Sequence, residues 1–213
     1  MYLPLYLKAD RLPCLMVGGG KVASRKCAQL LPAGCKLTVI APEIGEAVRR
    51  EVEGGRVRWL CRVYQPGDCE GFSLVVAATP HREVNQAVFL EAQSKGIPVN
   101  VVDVPELCTV IFGASWRDGP LEVSVTTGGK APFMAAAVRD RISDVFCGVG
   151  AWVEAAERFR AAVRRKAPDP VQRDFLYRLF LDRMQRGGTV DPPPGSELEP
   201  WLAWIGERRE ENA

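Results

Sequence analysis

The sequence predicts an α/β protein: a doubly wound parallel sheet, then a small α+β segment and a helical C-terminal part. Three observations carry this. The first hundred residues alternate short apolar, β-branched runs with stretches of helical periodicity. Two of the runs, "SLVVAAT" and "IPVNVVD", are continuously apolar over most of their length, as strands covered on both faces are. A glycine cluster, "VGGGKVASRK", stands between the first apolar run and the first helical stretch.

In chain order, "LPCLMV" (12–17) reads as a strand and "KVASRKCAQLLPAG" (21–34) as a helix closed by Pro32 and Gly34. "KLTVIAP" (36–42) is a second strand, "EIGEAVRREVEGG" (43–55) a helix with a Gly-Gly stop, and "RVRWLCRVY" (56–64) a third, alternating strand. "SLVVAAT" (73–79), "HREVNQAVFLEAQSKG" (81–96) and "IPVNVVD" (97–103) add strand, helix and strand. The pattern then changes. "CTVIFGASWRDGPLEVSVTT" (108–127) reads as a hairpin turning at Arg117-Asp118-Gly119-Pro120, and "GGKAPFMAAAVRDRISDVF" (128–146) leads into a helix at Pro132. From about residue 149 apolar residues recur at threes and fours, with a proline-rich stretch at 189–200 and a short helix after it. The division expected is 1–113 for the nucleotide-binding domain, 114–147 for a hairpin-plus-helix segment and 148–213 for a helical domain.

Composition narrows the function classes. The 213 residues carry a net charge of +2, too little to argue for nucleic acid or an acidic membrane surface. No 18-residue apolar run is present, and "MYLPLYLKADRLP" lacks the basic start and apolar core of a secretory signal, so a cytoplasmic location is expected. The seven cysteines form no C-x-x-C pair and there is one histidine, His81, so no metal site is expected and the cysteines read as small buried hydrophobes. His81 reads as the surface start of a helix, with a proton shuttle or transient metal contact at the carboxyl end of "SLVVAAT" as the alternative.

Gly18, Gly20 and Ala23 match G-x-G-x-x-[GA] between a strand and a helix, the context of the Rossmann dinucleotide fingerprint. The first glycine permits a tight turn, the second lets the backbone approach a pyrophosphate, and the small third residue lets helix and strand pack closely. A tight turn without ligand is the alternative. Glu43, after the second strand, is a candidate for the ribose hydroxyls and favours NAD; Lys21 could instead meet a 2′-phosphate. Asp103 lies at the carboxyl end of a buried strand, where this fold places its sites, and partial burial would suit it to accept a proton. Turn chemistry in "DVPE" is the competing account.

Taken together, "YLPLYLKADRLPCLMVGGGKVASRK", "LTVIAPE", "LVVAATP…VN", "VNVVDVPELC" and "VTTGGKAP" resemble precorrin-2 dehydrogenase, the N-terminal module of siroheme synthase, some members of which are also sirohydrochlorin ferrochelatases. The resemblance covers residues 1–146 well and the tail more loosely. It implies NAD-dependent oxidation of precorrin-2 to sirohydrochlorin and leaves iron insertion open. It also implies a homodimer built through the middle segment, with the tetrapyrrole in a cleft between the Rossmann domain and the later domains. Gly18, Gly20, Lys21 and Val22 fall on the family's first cofactor loop, Pro42 and Glu43 on its second contact, and Ala78 and Thr79 on the strand end facing the nicotinamide. Asp103 falls on the acid–base residue and Thr127 beside the substrate. Gly128 and Lys130 of "TTGGKAP" add flexible backbone and a cation suited to a polycarboxylate. Many relatives carry a second acid after the aspartate; here it is Val104. A non-catalytic nucleotide-sensing or ligand-binding Rossmann module is the rival reading.

Overall fold

In a computed structural model, residues 2–167, 169–186, 192–195 and 197–206 are described. The five strands expected in the first half pair into one parallel sheet of order β3-β2-β1-β4-β5. They are β1 (Pro13–Val17), β2 (Lys36–Ile40), β3 (Val57–Leu60), β4 (Leu74–Ala77) and β5 (Val99–Val101), joined through α1 (Lys21–Leu30), α2 (Glu46–Glu53) and α3 (Arg82–Ser94). This is the doubly wound α/β class the sequence implies.

Alternation along each strand feeds two cores. Cys14 and Met16 of β1, Leu37 and Val39 of β2 and Leu74 and Val76 of β4 pack with Ala23, Cys27 and Leu30 of α1 and Val48 of α2. Leu15 and Val17, Val75 and Ala77, and Val99 and Val101 pack on the other face with Val88, Phe89 and Ala92 of α3. A strand covered twice has no polar face to offer, hence the continuous apolar runs. β1 pairs with β2 on one side and β4 on the other, with Val17 opposite both Ile40 and Ala77. The chain order reverses between β1 and β4, and the crevice at their carboxyl ends is the switch point where such sheets take ligands.

Three boundaries and exposures differ from the sequence reading. β3 stops at Leu60 rather than Tyr64. Past it Arg62 turns to form a bidentate pair with Asp68 (2.7 and 2.6 Å), and residues 61–73 become the segment that carries the chain from β3 to β4. α2 begins at Glu46, since residues 43–45 pack against the glycine loop: Gly45 N–H donates to Gly19 O at 2.9 Å. Cys61 and Cys147 are exposed, unlike Cys14, Cys27, Cys35 and Cys69. Burial pushes the Cys27 thiol up to about 11 and Cys69 to about 12, which keeps both protonated and unreactive near neutrality.

Glu91 of α3 pins the 61–73 segment from beneath. Its carboxylate accepts from Gly67 N–H (2.9 Å), Cys69 N–H (3.0 Å) and the Tyr64 hydroxyl. Burial alone would raise the Glu91 pKa, but these donors and Lys95 outweigh it and hold the group below the usual glutamate range; Asp68 is likewise held low, chiefly by Arg62. A carboxylate with a depressed folded value stabilises fully above its unfolded pKa and loses that contribution as pH falls through the folded one. Denaturant unfolding of wild type is therefore expected to lose stability below about pH 4. Glu91→Ala, which strands a buried amide, is expected to cost about 3 kcal/mol at neutral pH and to flatten that acid dependence.

The chain divides into two compact units, residues 1–112 with 128–130, and 113–127 with 131–213. The second holds the hairpin β6 (Ala114–Asp118) and β7 (Leu121–Val125), and helices α4 (Pro132–Phe146), α5 (Val149–Lys166), α6 (Pro170–Gln185) and α7 (Leu198–Gly206). It thus groups the 114–147 and 148–213 segments. Gly150 accounts for the join: its N–H donates to the Asp118 carboxylate at 2.8 Å, and a Cβ there would lie 2.1 Å from Asp118 O. The helical core is aromatic, with Phe159 stacked on Phe180 (centroids 5.2 Å apart) beside Trp152, Trp201 and Trp204. The proline-rich stretch at 189–200 lies partly outside the described residues.

Candidate functional site

The three glycines do different work. Gly18 has φ +119°, and a Cβ on it would sit 2.4 Å from Ala78 O, so the turn out of β1 requires glycine. A Cβ on Gly19 would meet Glu43 O at 2.2 Å. Gly20 is the opposite case. Its backbone is extended (φ −80°, ψ −166°), a conformation any residue adopts, and nothing lies within 4 Å of where its Cβ would be. The fold places no demand on position 20, and the space above it is open.

Gly20 is also the N-cap of α1, and no side chain caps that helix or places an acid in its first turn. The N–H groups of Lys21, Val22 and Ala23 therefore open the helix at its positive dipole end. Ala23 is fully buried against the sheet, which brings this end close over β1. An uncapped helix start beside a glycine with free space fits a dinucleotide pyrophosphate.

Gly20, Lys21 and Val22 form one wall of a cavity of about 360 Å³; Ala78, Thr79 and Pro80, and Val102 and Asp103, form the rest. The structure thus brings six of the expected site residues together: Gly20, Lys21, Val22, Ala78, Thr79 and Asp103. Gly18 lies beneath, held by Gly18 N–H to Ile40 O (2.9 Å). Pro42 and Glu43 lie beyond β2, Glu43 exposed, and border the glycine loop through the Glu43 carbonyl, outside the cavity lining.

Thr127, Gly128 and Lys130 lie on the segment where the chain passes between its units. The Thr127 hydroxyl accepts from Ala131 N–H at 2.9 Å, and Gly128 and Gly129 both have positive φ. His81 is the exposed N-cap of α3, its Nδ1 3.7 Å from Glu83 Oε1.

Asp103 departs from expectation in two respects. It is exposed, not partly buried. It also has φ +60°, the one non-glycine residue in the left-handed region among the described residues. Aspartate tolerates this conformation better than most residues, yet it carries strain, and such strain concentrates at sites. The competing account of turn chemistry holds for the backbone: Asp103 sits in a turn closed by Val104 N–H to Val101 O (3.3 Å), while the short 3-10 turn Pro105–Leu107 that follows is capped at Val104 with no side-chain bond.

Asn85, buried on α3, is a residue to which sequence reasoning gives no role. Its Oδ1 accepts from the Thr79 hydroxyl (2.7 Å) and Thr79 N–H (3.2 Å), and its Nδ2 donates to Thr79 O (3.0 Å). It fixes the loop after β4 against the cavity. The "VN" in the motif is its signal, since a polar residue on the apolar face of a helix must find partners.

Residues 5–114, just over half the chain, match a family model described as putative NAD(P)-binding, and residues 118–144 match one described as sirohaem biosynthesis protein central. Among curated proteins, siroheme synthase of Methylobacillus flagellatus is 42% identical over 176 residues, which are 82% of this chain and 38% of that one. Siroheme synthase of Azotobacter vinelandii is 42% identical over 191 residues, 89% of this chain and 40% of that one. The chain therefore spans about two fifths of the length of the curated relatives it matches. A solved structure titled SirC, precorrin-2 dehydrogenase, superposes with a TM-score of 0.71 over 96% of this chain and 98% of that one at 20% identity, which shows the shared fold. No helix among the described residues is long and apolar enough to cross a membrane. The cradle at Gly20, the α1 start and the match over residues 5–114 agree: this chain belongs to the putative NAD(P)-binding family, carried here on a Rossmann-type unit.

Proposed function

We propose that the chain oxidises precorrin-2 to sirohydrochlorin with NAD⁺. The observation that carries this reading is the shared cavity in which the open α1 start and Asp103 face one another. Forming a double bond in the macrocycle removes a hydride and a proton. NAD⁺, when bound, supplies the hydride acceptor. The residues of this chain do the rest. The backbone at Gly20, Lys21 and Val22 holds the pyrophosphate, and Glu43 meets the ribose hydroxyls, where its charge disfavours a 2′-phosphate. Ala78, and Thr79 fixed by Asn85, present the end of β4 to the nicotinamide side. Asp103 accepts the substrate proton at a carboxylate oxygen. Thr127, Gly128 and Lys130 contact substrate carboxylates.

An anaerobic assay with precorrin-2, with and without NAD⁺, tests the reading. Sirohydrochlorin absorbance is expected to appear only with NAD⁺, and NADP⁺ is expected to serve worse. NAD⁺ binding without any product would favour the nucleotide-sensing alternative. Iron(II) added afterwards reports separately on chelation.

We also propose a homodimer formed through α4. Met134, Val138 and Val145, which recur along one stripe of the helix, are exposed, and so are Phe133 (74%) and Phe146. Exposed apolar residues recurring along one face of a helix, here with the exposed Arg141 among them, are a surface for a second copy. Wild type is expected to run as a dimer in light scattering and Met134→Lys/Val138→Asp as a folded monomer. A monomeric wild type overturns the proposal.

A further inference from the structure

We infer that the cleft between α5 and α6 is a second binding site, for a small, flat, apolar molecule bearing one anionic group. This site is independent of the proposed oxidation. The cleft holds about 380 Å³, within the range of small-molecule sites. α5 contributes Trp152, Ala156 and Arg160, each about one turn after the last on a single face, and α6 contributes Tyr177, Phe180 and Leu181. A mismatch of side-chain sizes opens it. Phe159 and Phe180 stack with centroids 5.2 Å apart. Trp152 meets Phe180 edge to face at 5.9 Å, and Tyr177 meets Phe159 in the same way at 6.3 Å. These rings hold the two helices apart, and Ala156, a single methyl in the middle of the α5 face, is too short to fill the space they leave.

The lining selects the ligand. Aromatic walls whose rings already fix one another favour a flat partner. An apolar cavity holds water poorly and takes apolar guests. Two polar groups border it. Arg160 is exposed and makes no ion pair or hydrogen bond among the described residues, and the Tyr177 hydroxyl takes no hydrogen bond there. A guanidinium, always charged, and a free hydroxyl both donate to a carboxylate or a similar oxyanion. No carboxylate is among the described residues lining the cleft, so an anion meets no opposing charge. Precorrin-2 fits it poorly. Its macrocycle is too large for this volume, and burying its many carboxylates beside a single cation would be costly.

The test is a fluorescence titration of the full chain with two probes. One is anilinonaphthalene sulfonate, a flat aromatic monoanion; the other is phenylnaphthylamine, the neutral molecule with the same rings. Both are expected to bind at one site per chain. Arg160→Gln removes the charge and is expected to weaken the sulfonate about tenfold while leaving the amine unchanged. Tyr177→Phe is expected to act in the same direction, more weakly. Ala156→Trp fills the cleft and is expected to exclude both probes, with a melting temperature at or above that of wild type. If that variant melts early, Leu181→Glu at the exposed rim serves, and is expected to repel the sulfonate and not the amine. No saturable site in wild type, sulfonate affinity unchanged in Arg160→Gln or Leu181→Glu, or equal losses for both probes in either variant would overturn the inference. So would full binding by a folded Ala156→Trp, which would place the probe elsewhere, as on the exposed face of α4. None of these outcomes bears on NAD⁺ binding or precorrin-2 turnover, so the dehydrogenase reading stands or falls separately.

Discussion

Gly20→Asp is expected to abolish NAD⁺ binding while leaving the protein as stable as wild type or slightly more so. The two halves of this expectation come from one geometry. The position has an extended backbone and open space where a Cβ would go, so an aspartate enters without a clash. As the N-cap of α1, its carboxylate can accept from the free N–H groups of the first turn, which favours the helix by a few tenths of a kcal/mol over glycine. Those are the same N–H groups a pyrophosphate needs. Occupying them with a fixed negative charge is expected to weaken NAD⁺ at least ~100-fold, or ~3 kcal/mol. Calorimetric titration and a thermal melt on one preparation check both halves. Gly18→Ala is the counterpart: its Cβ would strike Ala78 O, so a loss of about 3 kcal/mol or more in stability is expected, and any loss of binding would come from unfolding. Unchanged NAD⁺ affinity in Gly20→Asp would remove the glycine loop from the site.

Asp103→Asn is expected to lower turnover by about 10²–10⁴, the usual worth of a positioned general base, with NAD⁺ affinity unchanged. Asparagine is the substitution of choice because of the backbone. At φ +60° an alanine would add strain of its own, about 1 kcal/mol, and mix folding with chemistry. Asparagine keeps the shape, tolerates the left-handed conformation and removes only the ability to take a proton. A variant that retains wild-type turnover would assign the proton to another group or to water.

Much of the nucleotide-binding unit can be read from residue order, for a local reason. A parallel strand buried on both faces must be apolar throughout, and its crossover helix must be amphipathic, so "SLVVAAT" and the helix after it declare themselves. The glycine loop is legible because its motif falls within six residues, Gly18 to Ala23, between a strand and a helix. The features that residue order hides depend on partners far apart in the chain. Glu91 reaches Tyr64, Gly67 and Cys69, 22 to 27 residues away, and the early end of β3 results from that segment being held elsewhere. The left-handed backbone of Asp103 and the contact of the Lys26 ammonium with the Phe112 ring, 4.2 Å from its centroid, are likewise products of packing. Glycine spacing alone could not tell Gly18, which the turn needs, from Gly20, which it does not; the difference appears only when Ala78 is seen beside the first and nothing beside the second.

The register of β1 against β4, Val17 opposite Ala77, has a kinetic consequence. The cavity has one wall from the chain before the 61–73 crossing, Gly20 to Val22, and the others from after it, Ala78 to Pro80 and Val102 to Asp103. A dinucleotide bridging them would fasten the two sequence halves together across the central strand pair. Hydrogen exchange at β1 and β4 should then slow in concert when NAD⁺ is added, because neither strand can open without releasing the ligand from the other.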